Sequence, residues 1–394
     1  MLGSVLLLAA MSSHGGPPGA AAPPSVLHAL IVGGGPDNTH NQVAIESNVR
    51  YVDKLLPHST PRHILFADGD PSNQDVQYQD AANVIHYRAP NLPRLDGPAV
   101  LANVQQEIAS LAQDVQSRPK DPVLLYFTGH GSPSRPGFEN NRYDLWSGQS
   151  IDVRTLAKAV EAFPVDAPLT VVMVECYSGA FANLLFEHGD PANSLSPHHI
   201  CGFFASVPQR MAAGCTPEVN EANYRDFTSY FFAALTGIDR LGKPVTGADY
   251  NRDGHVGMDE AYAYALIHDD SIDTPMCTSD VFLRHFVTTP HEEVFGTAFS
   301  SVERWATPAQ RAVLRALSEA TNLTGEVRLA VAYEKFKTIP TNTERIDDVR
   351  LMRLIRVANS VVLAHTLMET GDAEARLRYT QLIREEAGNP LRSR

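Results

Sequence analysis

The sequence predicts an α/β protein, a mostly parallel sheet flanked by helices, followed by an all-α C-terminal region. Three observations predict it. Short apolar runs rich in β-branched residues recur through the first 205 residues, with Gly- and Pro-rich turns after them. Segments with helical apolar spacing lie between those runs. From residue 300 onward only helical spacing remains. Near-continuous apolar strands are buried on both faces, and alternation with helices is how a parallel sheet covers both.

The strand-like runs are 27–32, 63–66, 84–87, 122–127, 169–174 and 200–205; helical spacing covers 42–56, 98–116 and 153–163. Residues 180–199, with Gly189, Asp190 and Pro191, read as a surface loop. A helix is expected over 227–235. In the C-terminal region helices are expected over 307–321, 325–337, 344–370 and 372–387, the last opened by Asp372 as N-cap after Gly371. The organisation is then an α/β domain over 25–299 and a helical domain over 300–394. Residues 1–24 form a leader: 2–11 has the length of a signal-peptide core, and 12–24 is small and flexible. No Lys or Arg precedes that core, since the first basic residue is Arg50. Export and a misplaced start codon are both open, and so are a secreted or periplasmic and a cytoplasmic location.

Composition narrows the function. Hydrophobic residues make up 43% and charged residues 20% of the 394, which excludes global disorder. The net charge of −13 argues against general nucleic-acid binding, which needs a basic face. No apolar run reaches the roughly 18–20 residues of a membrane span. The charge is uneven: residues 300–394 hold 15 basic and 12 acidic residues, and residues 1–299 hold 17 and 33. An acidic body and a slightly basic tail are suited to dock. Four cysteines are too few for a disulfide framework.

Two strand ends carry chemistry. One is Val123-Leu124-Leu125-Tyr126-Phe127-Thr128-Gly129-His130-Gly131; the other is Val171-Val172-Met173-Val174-Glu175-Cys176-Tyr177-Ser178-Gly179. Neighbouring parallel strands would bring His130 and Cys176 to one sheet edge, where ligands of open α/β sheets bind. A thiol becomes a strong nucleophile once an imidazole takes its proton. Gly131 lets a bare backbone N–H approach a scissile carbonyl, and with the Cys176 N–H it could form an oxyanion hole.

These two stretches resemble the His-Gly and Cys motifs of the caspase-like cysteine peptidases, most closely the legumain family and bacterial caspase-like relatives with a Cys-Tyr-Ser-Gly turn. The resemblance covers roughly residues 27–290. It implies a caspase-like fold, a His130–Cys176 dyad and peptide-bond hydrolysis through a thioester acyl-enzyme, with a peptide or protein as substrate. It also implies that Asn38, in Asn38-Thr39-His40-Asn41-Gln42, orients His130. In the substrate pocket His40 stands where legumains carry Arg, and Met211 and Ala212 replace two pocket serines. The acid before the nucleophile is Glu175, one position nearer than in legumains. Asparaginyl specificity is therefore not expected. The retained Asp226 would instead pair a basic side chain beside the cleaved bond.

A second motif spans 249–260. Asp249, Asn251, Asp253, Gly254 and Glu260 match D-x-[DN]-x-[DN]-G-x5-E at every fixed position. In an EF-hand-type loop the first three supply oxygens, Gly254 makes the turn, the His255 carbonyl adds one ligand and Glu260 closes the site. Calcium, in a structural or regulatory role, is the expected ion; no organic cofactor is implied. Two rival functions share these residues: a transamidase or peptide ligase on the same dyad, and a non-enzymatic calcium-binding module. A serine hydrolase is excluded by the want of a G-x-S-x-G turn.

Overall fold

The computed structural model describes residues 25–392; the leader expected over 1–24 lies outside them. The strands are β1 (His28–Gly34), β2 (Arg62–Phe66), β3 (Val76–Gln79), β4 (Ile85–Arg88), β5 (Val123–Ser132), β6 (Arg142–Leu145), β7 (Gln149–Asp152), β8 (Leu169–Met173), β9 (Ile200–Phe204) and β10 (Met276–Cys277). The helices of the first part are α1 (Val43–Leu55), α2 (Leu101–Asp114), α3 (Val153–Val160), α4 (Phe227–Thr236), α5 (Met258–His268) and α6 (Thr278–Phe286). Six more follow: α7 (His291–Gly296), α8 (Phe299–Trp305), α9 (Pro308–Ala320), α10 (Arg328–Phe336), α11 (Ile346–Thr370) and α12 (Ala373–Glu386). The α/β class with a helical C-terminal region is as the sequence predicts.

The main sheet runs β10-β9-β8-β5-β1-β2, all parallel except the edge strand β10. Alternation along each strand divides two apolar clusters. Leu30, Val32, Leu125 and Phe127 face α2 and α3, whereas Ala29, Ile31, Leu124 and Tyr126 face α1, α4 and α5. The covering helices are built for this. In α1, Ile45, Val49 and Val52 recur at helical spacing and are fully buried. Asp152 caps α3 by accepting the Thr155 N–H at 2.8 Å, and Asp372 caps α12 through Ala375 N–H at 2.9 Å.

Three expectations need correction. The run 84–87 is not a strand of the main sheet: β4 pairs only with β3, in a separate antiparallel ribbon. Val84, Ile85 and Tyr87 are 50%, 42% and 37% exposed, so this run has no second layer to bury it. The stretch after Cys176 is no surface loop at its start. Residues Ser178–Leu185 wind into a 3-10 helix whose Ala180, Phe181, Leu184 and Leu185 are buried. Finally, α11 has 25 residues and is long and apolar enough to cross a membrane by length and composition. Here its Leu354, Ala358 and Val361 are buried in the protein core.

The C-terminal helices share a core with the sheet's α1 side. Arg353 of α11, 1% exposed, donates to the carbonyls of Leu266, Asp269, Ser271 and Asp273 and pairs with Asp269 at 3.6 Å. Arg350 pairs with Asp270 at 3.0 Å, and Arg378 of α12 donates to the carbonyls of Ser196 and His198.

Candidate active site

Strand register carries His130 and Cys176 to corresponding positions past the carboxyl ends of adjacent parallel strands. In the β5–β8 pair Phe127 lies opposite Met173, so His130 and Cys176 each stand three residues beyond the last matched pair. Strand order reverses at β1, with β2 on one side and β5 on the other, and the crevice at such a switch point is where α/β sheets bind ligands. His130 sits at that crevice. Gly131 is needed where it is: a Cβ there would lie 2.2 Å from the Cys176 carbonyl oxygen and 2.7 Å from Glu175 Cγ. A side chain at 131 would collide with the backbone of Cys176. Gly131 continues the strand into the β6–β7 hairpin, pairing with Tyr143.

The turn carrying Cys176 is sharp and pinned. Tyr177 adopts the left-handed region at φ 64°, a conformation that costs a non-glycine residue on the order of 1–3 kcal/mol. Its N–H donates to the Arg210 carbonyl at 2.8 Å, and its own carbonyl accepts from Asn141 Nδ2 at 3.1 Å. Asn141 is fully buried and also donates to Pro208. Ala212 touches the thiol itself: its N–H points to Cys176 Sγ at 3.3 Å, and its carbonyl oxygen lies 3.7 Å from the sulfur.

His130 is half-buried, and its Nε2 lies 2.9 Å from Gln42 Oε1. Gln42 Nε2 donates to the Thr39 carbonyl, which orients the amide with its oxygen toward the ring. An acceptor oxygen at Gln42 favours the tautomer with its proton on Nε2. Asn38, the expected orienting residue, is exposed in the 3-10 turn Asn38–His40, and no hydrogen bond joins it to His130 among the described residues. Gln42 occupies that role, and nothing in its spacing singled it out in the sequence. His40 packs edge-on against His130, with ring centroids 5.6 Å apart, and its Nδ1 is held by Asp37 at 2.9 Å. The Thr39 hydroxyl, and then His40, hold the Asp37 carboxyl down to about 2.

Burial dominates the protonation states. It pushes the Cys176 thiol up to about 11, against the pull of the Ala212 N–H, and pulls His130 down from 6.5, helped by His40. No hydrogen bond links Sγ to the imidazole. The resting pair is a thiol and a neutral ring. Glu175, 1% exposed and without a hydrogen-bond partner, is raised well above 4.5 by burial. Its Cγ lies where a Cβ on Gly131 would come within 2.7 Å. All four cysteines are free.

Asp226 is 2% exposed and only partly committed, its Oδ2 being buried without a hydrogen-bond partner. It caps α4 by accepting the Ser229 N–H at 2.7 Å and hydroxyl at 2.9 Å, and it lies 3.7 Å from Arg240. Arg240 in turn stacks on Tyr51 and Tyr224. A basic substrate side chain would have to compete with that internal guanidinium.

The 249–260 loop folds on itself through its own carboxylates. Asp249 accepts the N–H groups of Asp253 and Gly254, Asp253 accepts that of His255, and Glu260 accepts those of Tyr250, Asn251 and Gly257. Asn251 accepts the Asp253 N–H and donates its amide to Asp253 Oδ2. Gly254, at φ 85°, makes the turn. The residue types and the turn suit calcium, and the loop oxygens already accept backbone amides through one side. Among the described residues no three His, Cys, Asp or Glu side chains gather into a metal-binding group. The His255 ring contacts Arg392 rather than the loop interior.

No family model matches the chain, and no curated protein does. Solved structures similar to it include protein GSU0716 from Geobacter sulfurreducens, at 13% identity over 65% of this chain and 92% of that one, with a TM-score of 0.38. A secreted C11 cysteine protease from Bacteroides thetaiotaomicron, in complex with an irreversible peptide inhibitor, is 12% identical over 54% of each chain, with a TM-score of 0.29. An inactive zymogen C11 protease from Parabacteroides distasonis is 12% identical over 71% of this chain and 72% of its own, with a TM-score of 0.30. Structures similar to this chain thus include C11 cysteine proteases, at low identity.

Proposed function

We propose that the protein is a cysteine endopeptidase with a His130–Cys176 dyad. The observation that carries the reading is the matched register of β5 and β8, which delivers an imidazole and a thiol to one sheet edge with Gly131 packed on the Cys176 carbonyl. The chemistry follows from the protonation states. His130 Nδ1 takes the Sγ proton as sulfur attacks the scissile carbonyl carbon, and the carbonyl oxygen becomes an oxyanion. Collapse breaks the C–N bond, and the imidazolium returns the proton to the leaving amine. Water then adds to the thioester, His130 takes its proton, and the thiol leaves with it as the carboxylic acid forms. Gln42 is a positioning residue, holding Nε2–H so that Nδ1 is the base. A peptidyl acyloxymethyl ketone tests the reading on the full chain. Expected is a covalent adduct at Cys176, lost in Cys176→Ala and slowed in His130→Ala; an adduct formed equally fast in His130→Ala would sink the dyad.

Calcium belongs to the same proposal as a structural ion. Asp249, Asn251, Asp253 and Glu260, with the His255 carbonyl, would hold it, supplying positive charge to a loop whose carboxylates otherwise face only amides. Supporting this is the complete match of the loop spacing. Millimolar Ca²⁺ is expected to raise Tm, and an Asp249→Ala, Glu260→Ala double variant should lose the rise. An unchanged Tm in the unsubstituted protein would remove calcium from the account.

A further inference from the structure

The segment after β9 is tied to the Cys176 turn at several points, with no slack between them. Tyr177 N–H donates to the Arg210 carbonyl at 2.8 Å, and the buried Ser206 hydroxyl donates to the same carbonyl at 2.9 Å. Ser206 N–H in turn donates to the Ser178 hydroxyl at 3.2 Å. A Cβ on Gly179 would lie 2.5 Å from the Ser206 carbonyl oxygen and 2.9 Å from Pro208 Cδ, so the two backbones already touch. Two residues past Arg210, the Ala212 N–H reaches Cys176 Sγ at 3.3 Å. The place of residue 210 therefore sets both the backbone of the turn and the N–H that faces the sulfur.

What holds residue 210 lies in the C-terminal region. Arg210 is 6% exposed, and its guanidinium donates to the carbonyls of Thr341 and Thr343, in the loop joining α10 to α11, and to that of Ile272. Its buried Nε has no partner, so these carbonyls carry the whole polar hold on the side chain. A buried cation that loses such an acceptor is left with a stranded donor, which is costly, so the guanidinium and the loop keep together. The loop is itself closed. Thr343 is buried between exposed neighbours; its N–H donates to the Pro340 carbonyl at 3.0 Å and its hydroxyl to Asp348 Oδ2 at 2.9 Å, and that hydroxyl accepts the Arg345 N–H at 3.3 Å.

We propose that Arg210 is a positioning residue for the Cys176 thiol, and that the α10–α11 loop, by holding its side chain, belongs to the scaffold of the active site. The route runs from the Thr341 and Thr343 carbonyls through the Arg210 guanidinium and main chain to Tyr177 and Ala212, and so to Sγ. A displacement of the C-terminal helices is then felt at the nucleophile, although the tail itself touches neither member of the dyad. This role rests on the peptidase reading and deepens it.

Labelling of the full chain by a peptidyl acyloxymethyl ketone tests the role, with Tm measured beside the rate. Arg210→Gln removes the guanidinium fork and should slow labelling of Cys176 at least about tenfold, because misplacing a reacting atom by about 1 Å costs that much or more. Arg210→Lys, which keeps the charge, should label faster than Arg210→Gln. Thr343→Ala leaves Arg210 in place but unpins the loop; it should slow labelling too, and should add no further slowing to Arg210→Gln, since both act along one route. A merely structural role would lower Tm, leave the rate of the folded protein unchanged and make the two effects multiply. Unchanged labelling in folded Arg210→Gln overturns the proposal, as does multiplication of the two effects. If Arg210→Gln does not fold, Thr343→Ala decides: slowed labelling supports the route and an unchanged rate overturns it. Absence of labelling in the unsubstituted protein is a different result, since it fails the peptidase reading itself and this role with it.

Discussion

Burial sets the resting chemistry of the reactive side chains. With its thiol pushed up to about 11, Cys176 is protonated at neutral pH. Its alkylation by iodoacetamide, followed peptide by peptide in mass spectra, should be slow at pH 7 and rise about tenfold per pH unit toward pH 11. A plateau below pH 8 would mean that a thiolate exists at rest. Glu175 gives the companion prediction. Its folded pKa lies well above 4.5, so the folded state keeps a proton that the unfolded chain loses near 4.5. The stability this proton represents is complete below 4.5 and is lost as pH rises toward the folded value. Glu175→Gln should therefore leave Tm nearly unchanged at pH 4 and raise it at pH 8. A rise of equal size at both values would assign the effect to packing. At this scale His130, Cys176 and Gly131 were legible because strand ends and small residues mark them. Gln42 and Asn141 were not, because their partners lie 88 and 36 residues away, and no local spacing records such a contact.

At the scale of elements, β5 and β8 act as two rails whose register decides whether imidazole and thiol meet. The rails are locked by Gly131 on the Cys176 carbonyl and by Val174 N–H on the Phe127 carbonyl at 3.1 Å. Gly131→Ala forces a Cβ into 2.2 Å contact with backbone and should cost about 1–3 kcal/mol, read as a lowered Tm, with loss of labelling at Cys176. Wild-type Tm would mean that the strand ends shift freely. The main helices and buried strands followed from apolar period alone. The ribbon β3–β4 and the hairpin β6–β7 did not: they are short and lie beside the sheet, so their patterning is weak and their pairing partners decide them. The 3-10 segment after Cys176 was misjudged for a related reason. It reads together with the Gly-, Asp- and Pro-containing stretch 189–197 that follows it, while its burial comes from α3, α6 and β9 packing over it.

For the whole molecule, Arg353 is the chief polar link between the C-terminal helices and the α/β body. It is fully buried, and its carbonyl partners span residues 266–273. Arg353→Ala strands Asp269 and four carbonyls without a partner and should cost about 3–5 kcal/mol in chemical denaturation. A cost under 1 kcal/mol would show that the tail is held by apolar packing alone. The tail's contacts are made mainly through a shared apolar core, which the charge imbalance does not record. The tail packs on the β9–β10 side, and among the described residues no hydrogen bond or ion pair joins it to His130 or Cys176. Its nearest tie to the site runs through Arg210, whose side chain holds the Thr341 and Thr343 carbonyls and whose own carbonyl holds Tyr177.

By itself the sequence determined the α/β class, the helical tail, the His and Cys at strand ends and the acidic loop over 249–260, because each is written in local period, spacing or composition. Only the tertiary structure decided which partner orients His130, that Asp226 already lies beside an arginine, that the loop carboxylates are turned to backbone amides, and that the loop between α10 and α11 holds Arg210. Those are facts about which groups remain unpaired after the chain has folded, and pairing depends on contacts between residues far apart in sequence.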